Sequence, residues 1–309
     1  MTTRFRLLAD DLTGALDSAA RFVPLTRPLP VVWRDTDVPE GAAIDSGTRD
    51  LAEDAAYSRI KRFAPLLQGA DIAFKKIDSL LRGHVAMELA VCTGFFDHCV
   101  LAPAFPFQGR ITRAGRQLFR AGDTWRDTGV TLPGVRDAET DADLDAIVAE
   151  GQALAGRVLW VGTGGLAGAL AGHRPVPRPH LPPPLLALIG SDHAVSRAQV
   201  AAVPTHKRAV VITCDIPPDT DRVMARHHIG AAFASMLQRT ERPGTLFVTG
   251  GETLRDLCDA LGVSHLEVDG ELEPGVPTSI LRGGAWDGQR LVSKSGAFGD
   301  EGFLGRLLL

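Results

Sequence analysis

The sequence predicts an α/β fold of two domains, each with a mainly parallel sheet flanked by helices. Two observations predict it. Short apolar runs alternate with stretches of helical periodicity almost from end to end, and one proline-rich stretch divides the chain. Strands spaced by helices imply right-handed crossovers and parallel sheets covered on both faces.

Phe5 to Ala9 reads as the first strand, and Leu12, Leu16, Ala19, Ala20 and Val23 share one face of the helix after it. A strand at Ala42 to Ile44, a polar helix near Ala52 to Phe63 and a strand at Ile72 to Phe74 repeat the pattern. Val85, Leu89, Cys92 and Phe96 then form a helical stripe before a strand at Val100-Leu101. Later strands are expected at Val158 to Val161, Leu186 to Ile189, Ala209 to Ile212, Leu246 to Val248 and His265 to Val268. Arg174 to Pro184 holds six prolines, which favour an extended spacer over sheet or helix. A linker is therefore predicted at 176–184, between a first domain at 1–175 and a second at 185–309. Near the end, Ser279 to Arg282 and Gln289 to Ser293 flank Asp287-Gly288, a hairpin-turn dipeptide.

Composition narrows the function classes. The chain has 309 residues, 45% apolar and 23% charged, with net charge −4, enough to bury a core without staples. A mildly acidic balance offers no general attraction to nucleic acid or anionic lipid. No apolar run is long enough to span a membrane, and Leu7-Leu8-Ala9 runs straight into Asp10-Asp11, too short and too acidic for a signal peptide. Cys92, Cys99, Cys214 and Cys258 form no Cys-x-x-Cys pair and read as thiols of a reducing compartment. A soluble cytoplasmic protein is expected, with neither a nucleic-acid nor a membrane partner.

In an open parallel sheet, ligands bind beyond the carboxyl ends of the strands, so the chemistry lies in the residues at each strand exit. After the first strand come Asp10 and Asp11, which suit Mg²⁺, substrate hydroxyls or a base; one of them could equally cap the helix. Asp45 to Arg49 is a polar loop with a cation, and a surface loop looks the same. Lys75 to Gly83 packs two of the chain's five lysines, Asp78, Ser79, Arg82 and Gly83 into one strand exit; a solvated turn with an incidental Asp–Arg pair is the plainer alternative. Gln108-Gly109-Arg110 adds a further cation, or only a rigid turn.

Val161 to Ala167 fits the dinucleotide pattern G-x-G-x-x-[G/A], but no acidic residue stands at the ribose-binding distance beyond it, and close helix–strand packing explains the glycines as well. In the second domain Gly190-Ser191 and Gly250-Gly251-Glu252-Thr253 come after strands as Gly-rich anion turns, where Glu252 could also be a plain first-turn acid. Pro274 to Pro277 is a rigid turn, and Lys294-Ser295-Gly296 supplies a cation, a hydroxyl and an open backbone. No P-loop and no kinase H-R-D or D-F-G set occurs. An anionic polyol in the first domain and a nucleotide in the second suggest phosphoryl transfer across a two-domain cleft.

Nine stretches in order resemble the four-carbon acid sugar kinase family: Leu8 to Ala15, Lys75 to Gly83, Pro103 to Arg110, Asp137 to Leu144, Val161 to Leu170, Gly190-Ser191 with Gln199, Val248 to Thr253, Pro274 to Pro277 and Lys294 to Gly299. The resemblance implies ATP-dependent phosphorylation of a hydroxyl of threonate, erythronate or 3-oxo-tetronate, with Mg²⁺ on the ATP phosphates and a homodimer left open. It implies that Asp10, Asp11, Arg49, Lys76, Asp78, Arg82 and Gly83 face the acid sugar, joined by Gln108 and Arg110. Ser191, Gly250, Gly251, Glu252, Thr253, Gly275 and Gly296 would face ATP, with Lys294 nearby. Asp78, Asp11 and Arg82 are the expected catalytic groups, with the base Asp78 or one of Asp10 and Asp11; Arg82, Arg49 and Lys76 would clamp the substrate carboxylate.

Leu80 and Phe107 depart from the family's usual Thr and Glu, and the chain is shorter than usual between Gly115 and Asp137 and around Thr213 to Thr240. A degenerate, non-catalytic binder of a sugar acid or nucleotide is therefore the second reading. An NAD-dependent oxidoreductase built on the Gly162 loop is the third.

Overall fold

The computed structural model describes residues 4–26, 28–34, 37–203, 209–213 and 222–308. The chain divides into two compact units, Met1–Pro177 and Arg178–Leu309.

The first unit runs β1 (Phe5–Ala9), α1 (Leu12–Thr26), β2 (Leu29–Val32), β3 (Ala43–Asp45), α2 (Glu53–Phe63), β4 (Ile72–Lys76), α3 (Val85–Thr93) and β5 (His98–Ala102). It continues with β6 (Arg110–Arg113), β7 (Arg116–Ala121), β8 (Thr124–Asp127), α4 (Asp141–Gln152), β9 (Val158–Gly162) and α5 (Gly164–Leu170). Its main sheet has the order β2-β3-β1-β4-β9-β5, parallel at every pairing.

Apart from the half-buried Arg6, β1 is buried on both faces, which is why Leu7-Leu8-Ala9 runs apolar without alternation. On one face Phe22 of α1 packs between Phe5 and Phe74, with ring centroids 4.5 and 5.6 Å apart. On the other, Ile60 and Phe63 of α2 and Val85, Leu89 and Cys92 of α3 close over Leu8, Ile44, Ala73 and Val161. The chain leaves β1 for β2 and β3 on one side and then crosses to β4 on the other. The ends of β3, β1 and β4 therefore form a topological switch point, the place where an open α/β sheet accepts a ligand.

Two parts of this unit are not legible as strands in the sequence. β2 is only four residues long, with prolines at positions 28 and 30. The β6-β7-β8 sheet is antiparallel and charged, and β8 is exposed along its whole length, so it carries no apolar alternation.

The second unit comprises β10 (Leu185–Ile189), α6 (Ala194–Ala201), β11 (Ala209–Thr213), α7 (Arg222–Leu237), β12 (Thr245–Thr249) and α8 (Gly251–Ala260). β13 (His265–Glu271), β14 (Pro277–Arg282), β15 (Arg290–Lys294) and α9 (Phe303–Leu308) complete it. Its strand order is β11-β10-β12-β15-β14-β13. The first four are parallel neighbours, while β14 pairs antiparallel with both β15 and β13. The hairpin about Asp287-Gly288 is present.

The proline-rich stretch behaves differently from a free spacer at its end. The carbonyl of Pro184 accepts from the Thr245 amide at 3.1 Å, and that of Pro182 from the Thr245 hydroxyl at 2.8 Å. Prolines lack a donor but keep a carbonyl, and the first residue of β12 uses both. Among the described residues, no helix is long and apolar enough to cross a membrane. Of the cysteines, Cys92 and Cys258 are buried, Cys99 is exposed, and Cys214 lies outside the described residues.

Candidate functional site

The first unit brings its predicted polar residues together at the switch point. Asp10 and Asp11 follow β1, Arg49 follows β3, and Lys76, Asp78 and Arg82 end β4 and its exit loop. Arg49 grips Asp10 through Nε–Oδ2 and Nη2–Oδ1 contacts of 2.8 Å each, and its Nη2 also donates to Asp11 Oδ1 at 2.7 Å. Asp78 Oδ1 stands 3.7 Å from the same Nη2. Arg82 in turn forks onto Asp78, with Nε to Oδ2 at 2.9 Å and Nη2 to Oδ1 at 2.7 Å.

The loop folds around these ions. Asp78 Oδ2 accepts the amides of Leu80 at 3.0 Å and Arg82 at 3.2 Å, turning the chain so that Leu81 (φ 59°) and Gly83 (φ 81°) are left-handed. Gly83 sits against the Arg49 backbone, where a Cβ would come within 3.3 Å of its Cα.

Electrostatics follow from the geometry. Burial disfavours the charge on Asp10, yet Arg49, Lys75 and Lys76 outweigh it and hold the carboxyl below the usual range. Burial likewise opposes ionisation of Asp78, and the Arg82 hydrogen bonds with the charges of Arg49, Arg82 and Lys76 overrule it by a wide margin. Asp78 is thus fully ionised and fully engaged, a strong anchor and a weak base. Asp11 is the most open of the three acids, with a side chain 19% exposed against 4% for Asp10 and 7% for Asp78. Asp11 also realises the plainer alternative: its Oδ1 accepts the Gly14 amide at 3.0 Å in the first turn of α1. Lys76 is buried with Nζ on the Ile77 carbonyl at 2.9 Å, and a Cβ on Gly14 would press on both Lys76 Nζ and Asp11 Oδ1.

Gln108 and Arg110 form a tight turn after Phe105, with the Arg110 guanidinium on the Gln108 carbonyl. Arg110 Nε is buried without a hydrogen-bond partner, and burial lowers its basicity although Asp78 lies close enough to counter it. Two acids escape the sequence reading. Asp17 is buried in α1 with Oδ1 unpartnered, its carboxyl pushed up by burial. Glu88 is buried in α3, paired with Lys75 at 2.6 Å. Both stand beside apolar helical stripes, and an acid on such a face is the signal that finds them.

The Gly162 loop packs closely on its own unit. A Cβ on Gly162 or Gly165 would come within 2.5 Å of the Ala102 or Ala104 carbonyl, and one on Gly164 would meet the Phe105 ring at 2.9 Å.

In the second unit the exits of β10, β12 and β15 stand side by side. The Gly190 amide donates to the Thr249 carbonyl, and the Gly250 amide to the Lys294 carbonyl, each at 3.2 Å. Thr253 packs onto Gly190 so closely that a Cβ there would overlap its hydroxyl, and a Cβ on Gly296 would overlap Ser191 Oγ. Gly250 has φ 97°, which lets the chain turn from β12 directly into α8, whose first residues are Gly251 and Glu252. The Thr249 hydroxyl at the end of β12 is buried without a partner.

Lys294 is 1% exposed with Nζ on the Ser295 carbonyl at 3.1 Å; burial pulls its ammonium down to about 8, only partly opposed by Glu273. Gly275 lies in the turn beside Glu273, at φ 90°. A helix N-terminus, a buried cation and Gly-lined exits together suit a phosphate chain.

Family models, curated relatives and solved structures all match the chain. A sugar-binding N-terminal domain model covers residues 5–132, and a nucleotide-binding C-terminal domain model covers 218–304. A D-threonate kinase of Cupriavidus necator is 29% identical, over 96% of this chain and 95% of that protein. A D-erythronate kinase of Heliobacterium modesticaldum is 24% identical, over 96% and 94%. The solved structure of a Haemophilus influenzae protein shares the fold, with TM-score 0.67 and 18% identity over 99% of this chain and 100% of that one.

The fold is thus that of a two-unit α/β protein, its first unit matched by a sugar-binding domain model and its second by a nucleotide-binding one. The chain belongs to the four-carbon acid sugar kinase family. It is a shortened member: aligning it with the Cupriavidus enzyme takes 402 positions against its own 309 residues, and since both proteins are covered almost throughout, the loss is internal.

Proposed function

We propose that the protein is an ATP-dependent kinase that phosphorylates a hydroxyl of a four-carbon sugar acid, threonate, erythronate or 3-oxo-tetronate. The observation that carries this reading is the convergence of Asp10, Asp11, Arg49, Lys76, Asp78 and Arg82 on one switch point. Alternating acids and bases of this kind suit a ligand that is both polyol and anion.

Within this reading the residues divide their work. Two donors of Arg49 are spent on Asp10 and Asp11, so it holds the acids in place more than it clamps substrate. Lys76, Arg110 and the exposed side of Arg82 offer donors to the substrate carboxylate, and Arg provides the planar fork that a carboxylate matches. Gly83 lies against Arg49 at these exits, and Gln108 in the turn after β5 would join them on the substrate.

Asp11, the most open carboxylate, takes the hydroxyl proton as the hydroxyl oxygen bonds to the γ-phosphorus and the bond to the β-phosphate oxygen breaks, releasing ADP. Positioning and charge stabilisation carry most of such a transfer. In the second unit Ser191, Gly250, Gly251, Thr253, Gly275, Lys294 and Gly296 would hold the phosphates. Two oxygen donors there are of the kind a hard cation takes, the Glu252 carboxylate in the first turn of α8 and the buried Thr249 hydroxyl without a partner, and water and phosphate oxygens would complete the set. Mg²⁺ would neutralise charge on the β- and γ-phosphates.

The test is ADP release from Mg-ATP, screened over D- and L-threonate, D- and L-erythronate and 3-oxo-tetronate. Turnover with one acid names the substrate. Silence on all of them, with ATP still raising the melting temperature, favours a non-catalytic binder. No response to ATP removes the assignment of the second unit.

A further inference from the structure

We infer that Glu88 is a positioning residue for the sugar-acid site, acting through a buried polar chain that fixes the three strand exits carrying the acids and Arg49. This rests on the sugar-acid reading above. Glu88 is 1% exposed on α3, and neither it nor its partners reach the site surface. Its Oε2 lies 2.6 Å from Lys75 Nζ, and its Oε1 accepts the Thr48 hydroxyl. Ser46 shares its one hydroxyl proton between Thr48 Oγ1, 2.9 Å away, and the Ala9 carbonyl at 2.8 Å. At the other end Lys75 Nζ donates to the Lys76 carbonyl at 3.1 Å.

Two contacts of this chain end one residue short of the candidate chemistry, and the third ends on Lys76 of the site itself. Ala9 precedes Asp10, Thr48 precedes Arg49, and the Lys76 carbonyl belongs to the peptide that leads into Ile77 and Asp78. The Arg49 amide itself donates to the Asp10 carbonyl at 3.2 Å, so a shift at Thr48 moves both partners of the central fork.

Stability is a poor reason to bury these charges. Two ions taken out of water lose solvation that their attraction only about repays, and a well-packed apolar pair commonly does as well. What an apolar pair cannot supply is direction. Glu88 offers one oxygen to β4 and the other to the loop after β3, and so sets the spacing between two strand exits in a way that shape alone would leave free.

Two variants separate positioning from packing. In K75M/E88L the buried charges are replaced together, and the melting temperature should stay close to that of the wild type, while kcat/KM for the sugar acid falls at least about ten-fold with the KM for ATP unchanged. In T48V the ion pair is kept and only its link to the Arg49 loop is cut; the same loss for the acid is expected. Wild-type kinetics in both variants overturn the inference, as does a fall in K75M/E88L that T48V does not share.

If K75M/E88L fails to fold, T48V decides alone. If the wild type turns over none of the acids, the sugar-acid reading fails separately. The positioning chain is then read from amide exchange in T48V: faster exchange at Ser46 and Arg49 supports it, and unchanged exchange overturns it.

Discussion

Arg49 and Asp10 join two strand exits by a two-pronged contact, Nε to Oδ2 and Nη2 to Oδ1, each 2.8 Å long. The guanidinium is nearly buried, which alone would weaken its hold on the proton, but Asp10, Asp11 and Asp78 surround it and make it more basic than usual. Arg49 is therefore the charge about which three acids are arranged. A planar fork is needed for this, because a point charge could satisfy one oxygen of Asp10 but not also reach Asp11.

Arg49→Lys tests that requirement. It keeps the charge and loses the fork, leaving at least one buried carboxylate oxygen without its donor. Stability should fall by about 3 kcal/mol, within the range for breaking a buried pair. Sugar-acid turnover should fall at least about a hundred-fold, since misplacing a site by an ångström costs that much. Urea denaturation and initial rates check the two figures, and a variant with native activity would show that Arg49 is replaceable by any cation.

Asp78 predicts how the fold responds to acid. Its folded-state carboxyl is held well below the unfolded value of about 3.9, so its contribution is complete above that pH and is lost as pH falls through the lower, folded value. Asp78→Asn should cost about 2 kcal/mol at pH 7, and the gap to the wild type should narrow from about pH 4 downward. Asp10 shifts the same way, so the variant removes only part of the acid sensitivity. Urea midpoints between pH 2.5 and 7 measure it. Asp78→Ala should also abolish phosphorylation while leaving ATP affinity nearly intact.

Much of this site was legible because strand exits in a parallel sheet are where the chemistry must be. Lys75 to Gly83 stood out by density of charge, and the structure brings Lys76, Asp78 and Arg82 to Asp10, Asp11 and Arg49. The pairing pattern was not legible. Nothing in the spacing of Arg49 and Asp10, 39 residues apart, says that the guanidinium serves the acids before any substrate. Glu88 carried half a signal: with Val85, Leu89 and Cys92 marking a buried stripe, an acid beside them calls for a buried partner, but nothing in the spacing names Lys75 as that partner. The β6-β7-β8 sheet lacked a signal for the opposite reason, since strands that bury little need no apolar alternation.

Lys294 makes two pH predictions of opposite sense. Its folded pKa lies at about 8 against about 10.4 unfolded. Below about 8 the ammonium is charged in both states and its burial cost is fully present. Between about 8 and 10.4 the folded protein has lost the proton while the unfolded chain keeps it, so this group makes stability rise with pH. Lys294→Met should therefore be more stable than the wild type at pH 7, by about 2 kcal/mol, with the advantage fading toward pH 10. ATP affinity should run the other way, weakening as pH rises through about 8 because the proposed phosphate contact needs the charged form. Calorimetric titration of ATP from pH 6.5 to 9.5 reads it, and an affinity flat over that range, or equally pH-dependent in Lys294→Met, removes Lys294 from the nucleotide site.

Gly296 offers a steric test of the same site. Its backbone is not left-handed, so alanine is conformationally acceptable there; the obstacle is Ser191, whose Oγ occupies the space that a Cβ would fill. The loop cannot easily retreat, because Ser196 donates to the Gly296 carbonyl at 2.9 Å and Gln199 to the carbonyls of Phe298 and Asp300 at 3.1 and 2.8 Å. Gly296→Ala should consequently push Ser191 aside and weaken ATP binding about ten-fold or more, with a stability loss of about 1–3 kcal/mol from overpacking. Ser191→Gly in the same chain removes the obstructing side chain. The double variant should regain the stability, while regaining ATP affinity only so far as the Ser191 hydroxyl is dispensable for the phosphates. Full recovery of both makes Ser191 a spacer; recovery of stability alone makes its hydroxyl a phosphate ligand; and a Gly296→Ala protein that binds ATP normally shows that the β10 and β15 exits do not hold the nucleotide.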